Sequence, residues 1–385
     1  MAASYGRTSP PVDIGRDLVV RAADLVPLLT FNAARADRQR RICGENLDEL
    51  RDAGLLRMMT PRRWGGRQAK FETKVRVVSE LARGCASTSW VLAQLTGGTW
   101  FVGMMNKQAQ QNVWASNPDA TVAVAISPPG TADPTGEGYR ISGHWPHCFG
   151  VEHADWVLLG ARPVGPDGPA PLVALVPRDE VQIEDTWHLT GMRGTGCNTV
   201  ATDGVTVPFH RTTSLGAIEK TLLRWGALSD LGGAQLGLAQ AALDLVRDHA
   251  SRRGCTATTS SRTSDAPTVQ LGVARAASAL DTAEALVFNA AQEQDRAGRK
   301  WAPPSVLDRA RVHGKLNRGI IEARDAVREL ISVAGAPALA EFNPLQRIWR
   351  DSEIAASNAV SNPAISAEVY GQLLLGVDEP RAVTL

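Results

Sequence analysis

The sequence predicts an α+β protein of several domains. An N-terminal helical domain covers residues 1–117, a central antiparallel β-barrel or sandwich covers 118–212, and a C-terminal four-helix bundle covers 213–385. Two observations carry this reading. The apolar period switches from helical to alternating near Asn117 and back again after Arg211. The length of 385 residues is enough for two or three separate cores.

In the first region, FNAARADRQRRICGENLDELRDAGLLRMM sets apolar residues on one stripe with alternating charge opposite, and TPRRWGG ends it with proline and paired glycines. A second helical block is read in KVRVVSELARGCASTSWVLAQL and another in NKQAQQNVWA. Trp90, Trp100, Phe101 and Trp114 stud this part and read first as core packing, because aromatic rings bury so much surface. From Ala120 to His210 the chain is rich in Val, Thr, Gly and Pro. Short alternating runs (TVAVAIS, YRISGHW, ADWVLLGA, APLVALVP, NTVATDGVTVP) are separated by PPG, PTGEG and GPDGP turns, the spacing of a small antiparallel barrel or sandwich. Three long runs rich in alanine and leucine follow, ALSDLGGAQLGLAQAALDLVRDHASRR, PTVQLGVARAASALDTAEALVFNAAQEQDRAG and PSVLDRARVHGKLNRGIIEARDAVRELISVAG. With a last segment ending near Leu375, they make a four-helix bundle.

The charges nearly cancel at a formal +1, with no basic stripe interleaved with aromatics, so neither nucleic acid nor a membrane surface is expected as a partner. No stretch has signal-peptide or bilayer-spanning character, and the chain is read as cytoplasmic. The five cysteines, Cys43, Cys85, Cys148, Cys197 and Cys255, lie far apart without a CxxC pair, which argues against a disulfide framework. No metal site is expected, since the histidines lack metal-ligand spacing. His144 and His147 flank an apparent strand end, where they need not face the same way. No strand is followed by a glycine-rich turn and helix, and RGTG at Arg193–Gly196 lacks the remainder of a dinucleotide fingerprint, so a Rossmann domain is not expected.

The order of regions, together with RRWGG, CASTSW, GYRISGHW, HADWVLLGA, TWHLTGMRGTG and NPLQRIWRD, resembles the acyl-CoA dehydrogenase superfamily over essentially the whole chain. More narrowly it is similar to the two-component flavin monooxygenases that include 4-hydroxyphenylacetate hydroxylases, dibenzothiophene monooxygenase and amino-sugar N-oxygenases. The resemblance implies reduced FMN or FAD delivered by a separate reductase, with molecular oxygen as co-substrate. One oxygen atom would pass from a flavin C4a-hydroperoxide to a small organic substrate, at an aromatic or polyketide carbon or an amine nitrogen. It also implies a homotetramer, or at least a dimer, with flavin sites completed by a neighbouring subunit. The lack of a nicotinamide site fits that division of labour.

By position, the resemblance assigns the flavin's surroundings to AISPPGT and HWPHCFG. Ser127 would offer a hydroxyl and Trp145 a ring face, although a buried strand anchor is the competing reading of Trp145. Arg252 and Arg253 stand where related flavoproteins present an arginine to phosphate, a task suited to the planar guanidinium; either could equally be a helix-end charge. Gln270 and Arg347 are candidates for completing the pocket between subunits, and Asp351 for pairing with an arginine to brace the bundle. The carboxylate base of the dehydrogenases falls on Ala359, with Glu353 read as a bracing charge, so an acyl-CoA dehydrogenase or oxidase is disfavoured. Where phenol hydroxylases carry a histidine and a serine, this chain has Asn358 and Phe149. Asparagine hydrogen-bonds but cannot titrate, leaving His147 as the substitute base. These departures also leave open a catalytically silent homologue used for binding or assembly. Cys148 is read as a small buried hydrophobe.

Overall fold

The computed structural model describes residues 14–164, 170–214, 216–250, 260, 262–300, 302–358 and 361–377. Five helices open the chain, α1 (Ile14–Gln39), α2 (Gly44–Asp52), α3 (Phe71–Gly84), α4 (Ala86–Val102) and α5 (Lys107–Trp114). The block read as one helix from Lys74 to Leu95 is broken at Cys85, whose extended φ of −153° caps α3 and starts α4. The break lets the chain turn past α1, since a β-carbon on Gly84 would collide with Leu29.

Strands β1 (Val122–Pro134), β2 (Gly138–Cys148), β3 (Trp156–Pro163), β4 (Leu172–Pro177), β5 (Gln182–Glu184), β6 (Asn198–Pro208) and β7 (Thr212–Ser214) follow. They form one sheet in the order β5-β6-β2-β1-β3-β4-β7. The antiparallel expectation holds for every pair but one, because β1 and β3 run parallel. The β2 hairpin lies on the far side of β1, and a short turn at Val151–His153 carries the chain back to start β3 beside β1. Apolar residues of β3 and β4 do not alternate with polar ones, since both sheet faces are covered. Val157, Leu159, Ala174 and Val176 pack with Val91 and Leu95 of α4, while Leu158, Val173 and Leu175 pack with Phe101, Val113 and Trp114.

The remainder is helical: α6 (Ala217–Ala250), α7 (Pro267–Lys300), α8 (Val306–Ala334), α9 (Pro344–Ala356) and α10 (Pro363–Leu374). Residues at three- and four-residue spacing bury one stripe of α7, from Val269 through Ala276, Leu280, Ala283 and Val287 to Ala290. Ser305, Asn343 and Asn362 cap α8, α9 and α10 by accepting backbone N–H groups, and Pro344 and Pro363 occupy first-turn positions that lack an N–H partner in any helix. Helix α6 is central. Gly233 and Gly237 let it approach α3 so closely that β-carbons would strike the Val75 and Ser79 carbonyls. Across that contact Lys74 Nζ donates to Asp230 at 2.7 Å, with both side chains almost fully buried. Burial drives the Asp230 carboxyl up to about 6, against the pull of Lys74. Among the described residues no helix is long and apolar enough to cross a membrane.

Candidate active site

A cavity of about 360 Å³ opens where the sheet, α4, α6 and the end of α9 converge. Strand β2 brings His147 and Phe149 to it. The β2–β6 register shifts between Trp145 and Cys148, and His147 adopts a left-handed φ of 63°. This bulge turns the imidazole out of the strand's alternation and onto the cavity wall. His144, by contrast, lies exposed 3.4 Å from Glu184, so the two histidines do not share a face. Helix α9 brings Ile354, Ala355, Ser357 and Asn358, and the loop between β5 and β6 brings Trp187, Leu189 and Met192. Trp90 of α4 and Leu231 of α6 complete the wall.

The aromatic side chains brace one another edge to face. Phe149 stands 5.4 Å from Trp90 and 6.0 Å from Trp187, and His147 lies 6.1 Å from Trp187, all at steep interplanar angles. Trp187 is further fixed by its indole N–H, which donates to the Met192 carbonyl at 2.9 Å. Among the described lining residues His147 is the only imidazole, and none is a carboxylate. Glu353, the nearest acidic residue in the α9 sequence to Asn358, is held by a two-point contact to Arg328 of α8 at 2.6 and 2.7 Å, which lowers its pKa. It braces two helices.

The structure thus puts His147, Phe149 and Asn358 on one cavity, and places Ser127, Trp145, Gln270 and Arg347 elsewhere. Trp145 takes the strand-anchor reading. Its side chain is wholly buried, its N–H donates to the Gly160 carbonyl at 2.8 Å, and its ring edge fills the space that Gly130 and Gly143 leave empty. It therefore anchors the sheet and is not among the residues lining the described cavity. Ser127 is exposed on the irregular stretch of β1 between Ala125 and Gly130. Gln270 is exposed and donates to the Ser264 carbonyl at 2.9 Å. Arg347 lines a different, charged cavity of about 200 Å³ with Asp37, Arg83, Asp244 and Asp351. Asp351 does not pair with an arginine as expected; its carboxylate accepts the Met192 N–H at 2.6 Å, and Arg350 pairs with Asp37 instead. Burial, with the charge of Asp37, raises its pKa to about 6. Cys148 is fully buried, and burial pushes its thiol up to about 12, which leaves it inert as a nucleophile. Arg252, Arg253 and Ala359 lie outside the described residues. Sequence reasoning missed Trp187 and Met192 as wall residues; their string, TWHLTGMRGTG, was itself the available signal.

Residues 26–116 match the acyl-CoA dehydrogenase N-terminal domain and residues 231–363 the acyl-CoA dehydrogenase C-terminal domain. The flavin-dependent monooxygenase oxygenase subunit HsaA of Rhodococcus jostii is 31% identical over 365 residues, which cover 90% of this chain and 95% of that protein. The oxygenase component of an FADH2-dependent resorcinol hydroxylase from a Rhizobium species is 32% identical, covering 94% of each. The chain belongs to the flavin-dependent monooxygenases of the acyl-CoA dehydrogenase superfamily.

Its fold matches that of XiaF from a Streptomyces species, solved in complex with FADH2 and glycerol, at a TM-score of 0.90 and 30% identity, covering 97% of this chain and 98% of that one. As a flavin-dependent monooxygenase it is the oxygenase component of a two-component system, using reduced FMN or FAD from a separate reductase, and molecular oxygen, to oxygenate a small organic substrate. The cavity suits a flat substrate ring set against the edge of a bound flavin: its volume lies in the range of small-molecule sites, and its lining combines the aromatic rings of Trp90, Phe149 and Trp187 with the polar side chains of His147, Ser357 and Asn358.

Proposed function

We propose that this monooxygenase hydroxylates an electron-rich, polycyclic aromatic substrate, with His147 accepting the substrate's hydroxyl proton. The observation that carries this is the aromatic-walled cavity whose one titratable lining group is His147, facing a helix end that offers only the non-titrating Asn358 and Ser357. Bound reduced flavin supplies the activation of oxygen and the transfer of one oxygen atom. The chain's own residues do the rest. Phe149, Trp187 and Trp90 hold flat rings and exclude water, which prevents unproductive loss of hydrogen peroxide. Proton removal by His147 Nδ1 or Nε2 makes the ring a stronger nucleophile. Asn358 orients the substrate through its amide. Arg252 and Arg253 are proposed for the flavin phosphate on sequence grounds alone.

The relatives support an aromatic acceptor, since their names include a resorcinol hydroxylase, a p-hydroxyphenylacetate 3-hydroxylase and an indole-3-acetate monooxygenase. A dehydrogenase reading lacks support, because the described cavity wall holds no carboxylate to take an α-proton. We further propose a homotetramer acting in the cytoplasm, with Gln270 and Arg347 meeting a neighbouring subunit's flavin. We also propose domain divisions near residues 117 and 212, the first in the stretch between Trp114 and Val122 and the second at β7. The test pairs the protein with a flavin reductase, NADH and a panel running from 4-hydroxyphenylacetate to 2-naphthol, scoring oxygenated product against hydrogen peroxide. The reading expects 2-naphthol to be oxygenated with less peroxide than the monophenol. Efficient oxygenation of 4-hydroxyphenylacetate with no preference for fused rings would refute the substrate class.

A further inference from the structure

Asp351 is buried, yet it belongs to neither the cavity wall nor an ion pair with its neighbouring arginines. We propose that Asp351 is a positioning residue for the substrate cavity, holding the Met192–Trp187 wall in place from behind. The inference rests on that cavity being the substrate site.

Met192 adopts φ 50° and ψ 29°, a left-handed conformation that a residue with a side chain rarely takes without support. Its N–H is held at 2.6 Å by Asp351 Oδ1. Its carbonyl then accepts the Trp187 indole N–H at 2.9 Å and the Thr195 hydroxyl at 2.7 Å. One peptide segment is therefore gripped on both sides, by a carboxylate from α9 and by the ring that faces His147 and Phe149. The adjacent residue of α9 acts on the same loop, because Arg350 donates to the Thr190 carbonyl while pairing with Asp37. Gly191 lies flat against the Arg350 carbonyl, where a β-carbon would have no room. Helix α9 thus forms one cavity wall directly, with Ile354, Ala355, Ser357 and Asn358, and sets the opposite wall through Asp351. Any change in α9 position moves both walls together.

A charged carboxylate suits the task. It accepts a backbone N–H more strongly than a neutral oxygen does. An apolar replacement leaves the Met192 N–H buried without a partner and releases the left-handed turn.

The experiment uses the full chain with methyl-¹³C methionine, of which there are six, and assigns the Met192 methyl by its loss in Met192→Leu. Asp351→Leu removes the acceptor, whereas Asp351→Asn keeps an amide oxygen at nearly the same place. In Asp351→Leu the Met192 methyl resonance shifts or broadens, and 2-naphthol oxygenation per oxygen consumed falls by about tenfold as peroxide rises, the size expected when a reacting ring is misplaced. Asp351→Asn restores most of both. An unmoved Met192 methyl in Asp351→Leu overturns the clamp, whatever the activity. A moved methyl with unchanged product yield overturns its positioning role. If Asp351→Leu does not fold, Asp351→Asn decides alone, since a product yield as poor as that of Met192→Ala would show that an acceptor at this place does not hold the wall. A parent that oxygenates none of the panel fails the cavity reading instead, and the methyl readout remains independent of it.

Discussion

Replacing Lys74 by methionine probes the buried pair that joins α3 to α6 directly behind the Leu231 wall. The Asp230 carboxyl ionises at an ordinary value of 3.8 when exposed and at about 6 in the fold. Keeping it charged at pH 8 therefore already costs roughly two pH units, about 3 kcal/mol, with Lys74 in place. Without Lys74 the interior favours a neutral acid, and holding the proton at pH 8 costs roughly four units, nearly 6 kcal/mol relative to the unfolded chain. The difference, about 3 kcal/mol, agrees with what breaking a buried pair usually costs. At pH 5 the carboxyl is mostly protonated in either protein, so this part of the loss nearly vanishes. Methionine keeps most of the lysine's apolar stem, which isolates the charge. Urea midpoints followed by tryptophan fluorescence at pH 5 and pH 8 measure the effect, and Lys74→Met with Asp230→Asn together should recover most of the loss. A loss equal at both pH values, or below about 1 kcal/mol at pH 8, would refute the account.

His147→Gln should lower 2-naphthol oxygenation by about two orders of magnitude near neutral pH while leaving the fold intact, with the deficit shrinking at alkaline pH as the substrate ionises unaided; pH-rate profiles of coupled turnover check this. Burial, with Arg224 and Arg309 nearby, lowers His313 to about 4, below its ordinary 6.5. The native state thus binds fewer protons than the unfolded one between those values, and stability due to His313 is complete above 6.5 and is lost as the pH falls toward 4. His313→Gln should flatten the decline in denaturation midpoint between pH 7 and pH 5, by an amount on the order of 2 kcal/mol. Alanine at the phosphate-binding position, Arg253 first and Arg252 second, should weaken reduced-flavin affinity by about tenfold in anaerobic titrations; parent-like affinity in both variants would remove the assignment.

Much of the architecture was legible because it rests on local periodicity. Helices α6, α7 and α8 show their buried stripes in sequence, and the turn-rich middle announces strands. The parallel β1–β3 pair was not legible, since parallel and antiparallel partners share the same composition when both faces are buried. The helix break at Cys85 was hidden because Gly84 is needed by the packing of α1, a long-range cause. At the site, His147, Phe149 and Asn358 could be named from motif position. Trp145 kept two readings because a tryptophan on a strand reads alike on either face, and only the glycines at 130 and 143 show which way it points. The string TWHLTGMRGTG marked Trp187 and Met192, but what holds them is the Asp351 carboxylate more than a hundred positions away, a pairing that one sequence does not reveal.

The packing of Trp145 into the space above Gly130 and Gly143 bears on attempts to redirect this enzyme. The indole fixes the strand that, two residues later, turns out His147. Libraries that vary cavity residues one at a time will find the exposed Leu189 permissive, but will find positions 130, 143 and 145 locked. Any side chain added at either glycine collides with the ring, and any smaller ring leaves a hole beneath the bulge. Those three positions must therefore be varied together, and a library aimed at His147 should keep all three fixed.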